Sequence, residues 1–217
     1  LRRKVEEAGC ATAASIGNLA TIVGDAGGAS AVGAMAAAAG DVVARAAECS
    51  MAALSTEGAS DAVKEAVERF LRPQPRMRFG VIAGRTRAAS ACMDLSDGLA
   101  DAVRQLARAS GTGAVIEAEA LPIHPGAAEI LSGESKPSAA AGSAALKAGP
   151  LQAALSGGED YELLLAVSRR SQRRFLAVQR LSGVPATRIG TLTAGTDLVL
   201  RREGVDEPLP AGFEHFA

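Results

Sequence analysis

From about residue 75 to its end, the chain is predicted to fold as an α/β layered domain. Three observations predict it. Short apolar runs alternate with segments whose large apolar residues recur at helical spacing. Glycines and prolines stand at the changes of period. The 217 residues are also ample for one hydrophobic core.

The elements follow in order. Residues 8–60 are rich in Ala, Gly and Ser, and within them Ile16–Val23 is a candidate strand, with Gly24-Asp25-Ala26-Gly27-Gly28 ending it. Helices through Val32–Ala39 or Val42–Ala47 rest on alanine propensity alone. From Ser60 to Leu71 the apolar residues Val63, Val67, Phe70 and Leu71 fall at helical spacing between charged ones, and Pro73 and Pro75 end the helix. Ala88–Met93 suits a buried strand. Leu99, Ala102, Val103, Leu106 and Ala109 then mark one face of a helix that Gly111 and Gly113 stop. Ala114–Glu119 is the next strand. Pro122–Pro150 holds one or two helices, with Pro137–Ala148 expected to be a mobile loop. Asp160–Val167 is a strand, Arg169–Leu181 a helix, and Ala186–Thr193 and Thr196–Arg202 are two strands about a turn at Ala194-Gly195.

Composition narrows the functional classes. With 23 Lys+Arg against 24 Asp+Glu, a net charge of −1 argues against a globally basic nucleic-acid binder and against an acidic tail protein. Mean hydropathy is +0.15, but alanine fills 48 positions and adds little burial beyond one methyl each. No apolar run approaches the ~18 residues that span a bilayer, so neither a transmembrane nor a membrane-bound chain is expected. Cys10, Cys49 and Cys92 lie far apart without a C-x-x-C, which points to a reducing, cytoplasmic setting. His124 and His215 have no cysteine nearby, and no zinc site is expected. The chain opens on Leu1-Arg2-Arg3-Lys4 without Met or a signal peptide and is expected to begin mid-protein.

Two segments carry candidate chemistry. In Met93-Asp94-Leu95-Ser96-Asp97-Gly98-Leu99 a strand runs into a helix N-terminus, whose free N–H groups attract an anion. Asp94 and Asp97 would repel bare phosphate. A divalent cation held by their oxygens and bridging to a polyphosphate resolves the conflict. The plainer alternative makes Ser96 or Asp97 an N-cap and Asp94 a strand-end turn residue. In Leu155-Ser156-Gly157-Gly158-Glu159-Asp160-Tyr161-Glu162-Leu163 paired glycines permit close backbone approach, and three acids crowd the start of an apolar strand. Glu162 shares a strand face with Leu164 and Ala166, so it needs a partner, a metal or a ligand, unless the acids are simply solvated in a turn.

Lesser signals remain. Phe213 and Phe216 pin the tail to the core or offer a stacking platform. Arg169, Arg170, Arg173, Arg174 and Arg180 form a basic helix face without interleaved aromatics, the mark of a solvated surface. Leu71–Arg76 presents arginines to phosphate or is a stiff helix-exit linker. Gly24–Gly28 lacks the Gly-Lys-Ser/Thr ending of a P-loop.

The order and spacing of Arg72-Pro73-x-Pro75-Arg76, Met93–Leu99, Leu121-Pro122, Leu155–Leu163 and Gly212-Phe213-Glu214-His215-Phe216 together resemble the thiamine-monophosphate kinases. These belong to the ATP-binding superfamily of aminoimidazole ribonucleotide synthetase. The resemblance covers about Arg69 to Ala217. It implies a three-layer domain with a mixed sheet over residues 71–217, preceded by a weakly matched 1–70. It also implies ATP-dependent, Mg2+-assisted in-line phosphorylation of thiamine monophosphate to thiamine diphosphate. Asp94 and Asp97 would be Mg2+ ligands, with Asp97 the catalytic one; Ser96 would contact ATP, Glu159 the substrate, and Phe213 the thiamine rings.

Selenophosphate synthetase would want a reactive Cys or Sec near the start, and the hydrogenase-maturation dehydratase a C-terminal Cys tail; the sequence has neither. The family's N-terminal domain, with its Gly-Asp-Asp and Val-Gly-Gly-Asp segments, further metal ligands and dimer interface, has no recognisable counterpart. Its Thr-Gly-Thr is lost around Ile22–Gly28, and only Arg2 or Arg3 could stand for the nucleotide-binding arginine. The chain therefore reads as the C-terminal fragment of a homodimeric kinase, inactive by itself. The alternative is a non-catalytic binding or assembly module.

Overall fold

The computed structural model describes residues 18–22, 59–131, 149–158 and 160–211. Along the chain run β1 (Asn18–Ile22), α1 (Asp61–Leu71), α2 (Met77–Thr86), β2 (Ala91–Asp94), α3 (Leu99–Ser110) and β3 (Gly113–Glu117). After a 3-10 turn at Ala118–Ala120 come α4 (Pro125–Leu131), α5 (Pro150–Ser156), β4 (Leu163–Val167), α6 (Gln172–Ser182), β5 (Ala186–Thr193), β6 (Leu198–Arg202) and β7 (Val205–Pro208).

The strands form one seven-stranded sheet in the order β2-β4-β1-β5-β3-β6-β7. It is mixed, as the resemblance implies: β3 and β6 are parallel and every other pair is antiparallel. The five residues of β1 occupy a central slot, pairing on one side with β4 (Ala20↔Leu165) and on the other with β5 (Ala20↔Arg188). The alternation of β4 assigns its two faces. Leu164 and Ala166 pack with Leu95, Leu99, Val103 and Leu106 of the α3 side. Leu165 and Val167 pack with Phe79 and Ala83 of α2 and Phe175 and Val178 of α6. Helices thus cover both faces, giving three layers. The second core is keyed by the edge-to-face pair Phe79–Phe175, with ring centroids 5.9 Å apart.

Local chemistry sets the ends of these elements. Ser60 caps α1 by accepting the Val63 N–H at 3.2 Å, and α1 ends before Pro73 as expected. Gly111 and Gly183 end α3 and α6 in the left-handed conformation. β6 and β7 join through Glu203-Gly204, both at positive φ, the two-residue turn that matches strand twist.

Six expectations are adjusted. The buried strand expected at Ala88–Met93 is the edge strand β2, shifted to Ala91–Asp94, with Cys92 and Asp94 exposed. The run at Thr196–Arg202 forms a strand from Leu198. The strand starting at Asp160 starts at Leu163, because Tyr161 takes a positive φ of 55° that breaks extension. The run at Ala114–Glu119 turns into the 3-10 turn after Glu117. The Arg169–Leu181 helix opens with a 3-10 turn over Arg169–Ser171. The helical stretch of Pro122–Pro150 begins at Pro125, and among the described residues a further helix, α5, starts at Pro150. α2 and β7 had no sequence expectation. The proposed helices at 32–39 and 42–47, the Gly24–Gly28 loop and the Pro137–Ala148 segment lie outside the described residues.

Candidate active site

The site is built on the edge strand β2 and its neighbour β4. Asp94 is the last residue of β2, exposed, opposite Leu163 in the ladder. The chain then turns through Leu95, which is buried and donates its N–H to the Glu162 carbonyl at 3.0 Å. Ser96 and Asp97 follow, both half-buried, and α3 starts at Leu99. The N-cap of α3 is Gly98 at φ 88°, so neither Ser96 nor Asp97 occupies the capping position. Asp94 does sit at the strand end.

The two motif segments lie against each other backbone to backbone. A Cβ on Gly98 would stand 2.8 Å from the Gly157 carbonyl oxygen, and one on Gly158 would stand 2.5 Å from that of Ser96. Both distances are shorter than real side chains tolerate, so this contact requires glycine on each loop. The pairing of β2 with β4 and these two glycines bring the Asp94–Gly98 turn beside the Gly157-Gly158 segment at the N-terminus of α3. Glu159 and Phe213 lie outside the described residues.

Glu162 has found a protein partner. It is buried, and its carboxylate accepts two charge-assisted bonds from Arg76, Nε–Oε2 at 2.9 Å and Nη2–Oε1 at 2.7 Å. Arg76 is the residue just before α2, behind the Pro73 and Pro75 segment that positions it. The guanidinium therefore serves a carboxylate of the second motif. Asp160 beside it is also buried. Neither Arg76 nor Glu162 stands among the sequence-predicted site residues, although each had raised a separate question about its partner.

The donor set suits a hard cation in kind but is short in number. Asp94, Ser96 and Asp97 offer only oxygens, whereas Mg2+ takes about six ligands. Among the described residues no group of three or more His, Cys, Asp and Glu side chains could hold a metal. Nearby Cys92 stands on the exposed edge strand, yet partial desolvation, followed by the charge of Asp94, pushes its thiol pKa up, away from the reactive thiolate. No helix among the described residues is long and apolar enough to cross a membrane.

The class of protein that the fold and site define is a mixed three-layer α/β domain in which an acidic turn feeds a helix N-terminus beside a glycine pair. The AIR synthase related protein family, through its C-terminal domain, matches residues 39–203, and the chain belongs to that family. It is 37% identical over 155 residues to a thiamine-monophosphate kinase of Escherichia coli, covering 70% of this chain and 42% of the relative. A thiamine-monophosphate kinase of Synechococcus elongatus is 36% identical over 159 residues, with the same coverage of 70% and 42%. The crystal structure of tt0281 from Thermus thermophilus superposes with a TM-score of 0.60 at 27% identity, over 90% of this chain and 51% of that one. The chain thus spans about two fifths of the curated relatives it matches.

Proposed function

We propose that this chain is the C-terminal part of an enzyme that phosphorylates thiamine monophosphate to thiamine diphosphate with ATP and Mg2+. The observation that carries the reading is the backbone contact between the Asp94–Gly98 turn and the Gly157-Gly158 segment, because it joins in one place the two motifs on which the resemblance to the kinases rests. In this reading Asp94 and Asp97 hold Mg2+, and Ser96 contacts the nucleotide. Glu159 and Phe213 receive the thiamine monophosphate. The cation, when bound, neutralises polyphosphate charge. The chain's own contribution is positional. The Leu95 N–H to Glu162 carbonyl bond and the Arg76 fork tie the turn to the start of β4, and in this reading that tie holds Asp94 and Asp97 in place for the cation. No Cys or His nucleophile is needed for direct in-line transfer. The parent is proposed to be a cytoplasmic homodimer.

With two carboxylates as the cation ligands, the 217-residue chain alone should bind the metal–nucleotide complex weakly and lack alignment, lowering the rate on the order of 10³-fold or more. A non-catalytic binding module is the second reading, favoured by the absence of a fuller metal-ligand group among the described residues. Two measurements separate them. Titration calorimetry of the chain with thiamine monophosphate should give heat, and none with either phosphorylated or free thiamine would remove the substrate assignment. A coupled ADP-release assay should show no turnover by this chain. Turnover near one per second that vanishes in Asp97→Asn would show the site to be complete without further domains.

A further inference from the structure

Charge in this chain is segregated. Residues 76–90 and 168–184, which contain α2 and α6, hold nine arginines and no Asp, Glu or Lys, leaving 14 cations against 24 acids elsewhere. Arg76 is engaged by Glu162, and Arg174 reaches back to the Thr86 carbonyl at 3.3 Å, bracing α6 on α2. The other seven are exposed, and none forms an ion pair with an acid among the described residues.

Among the described residues, the same two helices carry four of the six large apolar side chains that stand out into solvent. They are Met77 (69% exposed) and Val81 on α2, and Leu176 and Leu181 (61% exposed) on α6. Phe79, Ala83, Phe175 and Val178 point inward to the sheet, which fixes the opposite side of each helix as the outer one. On that outer side Met77, Val81 and Arg85 follow one another at intervals of four residues. Arg173, Ala177 and Leu181 do the same, and Arg180 lies four beyond Leu176.

We propose that the outer face of the α2/α6 layer docks an acidic, amphipathic protein segment, independently of the phosphoryl-transfer reading. Each row carries at least one guanidinium in line with aliphatic side chains, about one turn apart. That spacing matches a helix presenting both carboxylates and apolar residues on one face. Arg and Met present, with Lys, Asp and Glu absent, is also the composition of protein-interface centres. A bilayer surface fits less well: it favours apolar residues gathered beneath the cations and aromatic side chains at the headgroups. Here the arginines stand in line with the aliphatics, both phenylalanines of the layer face inward, and the chain has no Trp. Single-stranded nucleic acid would lack a stacking platform for the same reason.

The test uses the whole chain and three probes: a synthetic peptide of Glu and Leu at helical spacing, vesicles of phosphatidylserine and phosphatidylcholine, and a short DNA duplex. Peptide binding, read by fluorescence anisotropy at physiological salt, should exceed binding to either other probe. It should fall about tenfold in Arg85→Glu with Arg173→Glu, and measurably in Met77→Ser with Leu181→Ser. Arg85→Gln with Arg173→Gln provides a milder pair, and melting curves check that each variant folds. Absence of peptide binding, tighter binding to vesicles or duplex, or unchanged peptide affinity in the serine pair would each overturn the proposal.

Discussion

Two arginine forks of nearly the same geometry sit toward opposite edges of the sheet. At the β2–β4 end, Arg76 holds Glu162 through Nε and Nη2 at 2.9 and 2.7 Å. At the other edge, Arg201 on β6 holds Asp206 on β7 through the same two nitrogens at 2.6 and 3.1 Å, with Glu117 of β3 at 3.5 Å. What differs is solvent. The first pair is 11% and 3% exposed, the second 39% and 52%. Buried ions have lost hydration that only the partner replaces, while exposed ions exchange one good environment for another. Geometry alone therefore says little about energetics. The buried fork supports the candidate site, and the exposed one only orders a hairpin.

The largest effect should come from breaking the buried fork on one side. Arg76→Met leaves the Glu162 carboxylate in the interior without its cation and should lower stability by about 3–5 kcal/mol in urea unfolding. Adding Glu162→Leu removes the stranded charge and should recover most of that loss. A single variant no less stable than the double would show that water reaches Glu162, and the contrast between the two forks would disappear.

A smaller effect should follow from crowding the loop beside that fork. In Gly158→Ala the new methyl meets the Ser96 carbonyl oxygen, a backbone atom that cannot swing aside. Overpacking of this kind costs roughly 1–3 kcal/mol. It should also move the amide resonances of Leu95–Gly98 while leaving those of the β6–β7 hairpin in place. Unshifted resonances at Leu95–Gly98 would mean that the two turns are not held against each other.

How much of this was legible in the sequence varies with how local the cause is. The α1 and α3 helices were readable because cap, periodicity and stop signals agree over Ser60–Leu71 and Leu99–Gly111. α2 was not, since Gly80, Val81, Ile82 and Gly84 argue against a helix that only the packing of Phe79 and Ala83 on the sheet stabilises. β7 was hidden because every one of its residues is exposed, which leaves no apolar alternation to detect. At the site, Asp94, Ser96 and Asp97 could be picked out from chemistry, and the need of Glu162 for a partner from its place on the strand. That Arg76, 86 residues away, answers it depends on how α2 and β4 pack, and no local pattern encodes that distance.

The smallest effect should come from the exposed fork, and its pH dependence distinguishes it from the buried one. The bonds from Arg201, followed by its charge, hold the Asp206 carboxyl below the ordinary carboxylate range. A carboxylate with a depressed folded pKa binds fewer protons folded than unfolded. Whatever stability it contributes is present above its unfolded pKa and lost as pH falls through the folded value. Asp206→Asn should therefore differ from the parent slightly at neutral pH and not at all once the pH is below the carboxylate range. Because both side chains face water, added salt should erase even the neutral-pH difference. The Glu203-Gly204 turn, whose Glu203 N–H donates to Glu119 at 2.7 Å, keeps the hairpin registered without the fork. Thermal melts of the two proteins across pH and salt would check this. A large, salt-insensitive loss in Asp206→Asn would mean that this edge of the sheet is covered in solution and that its fork resembles the buried one.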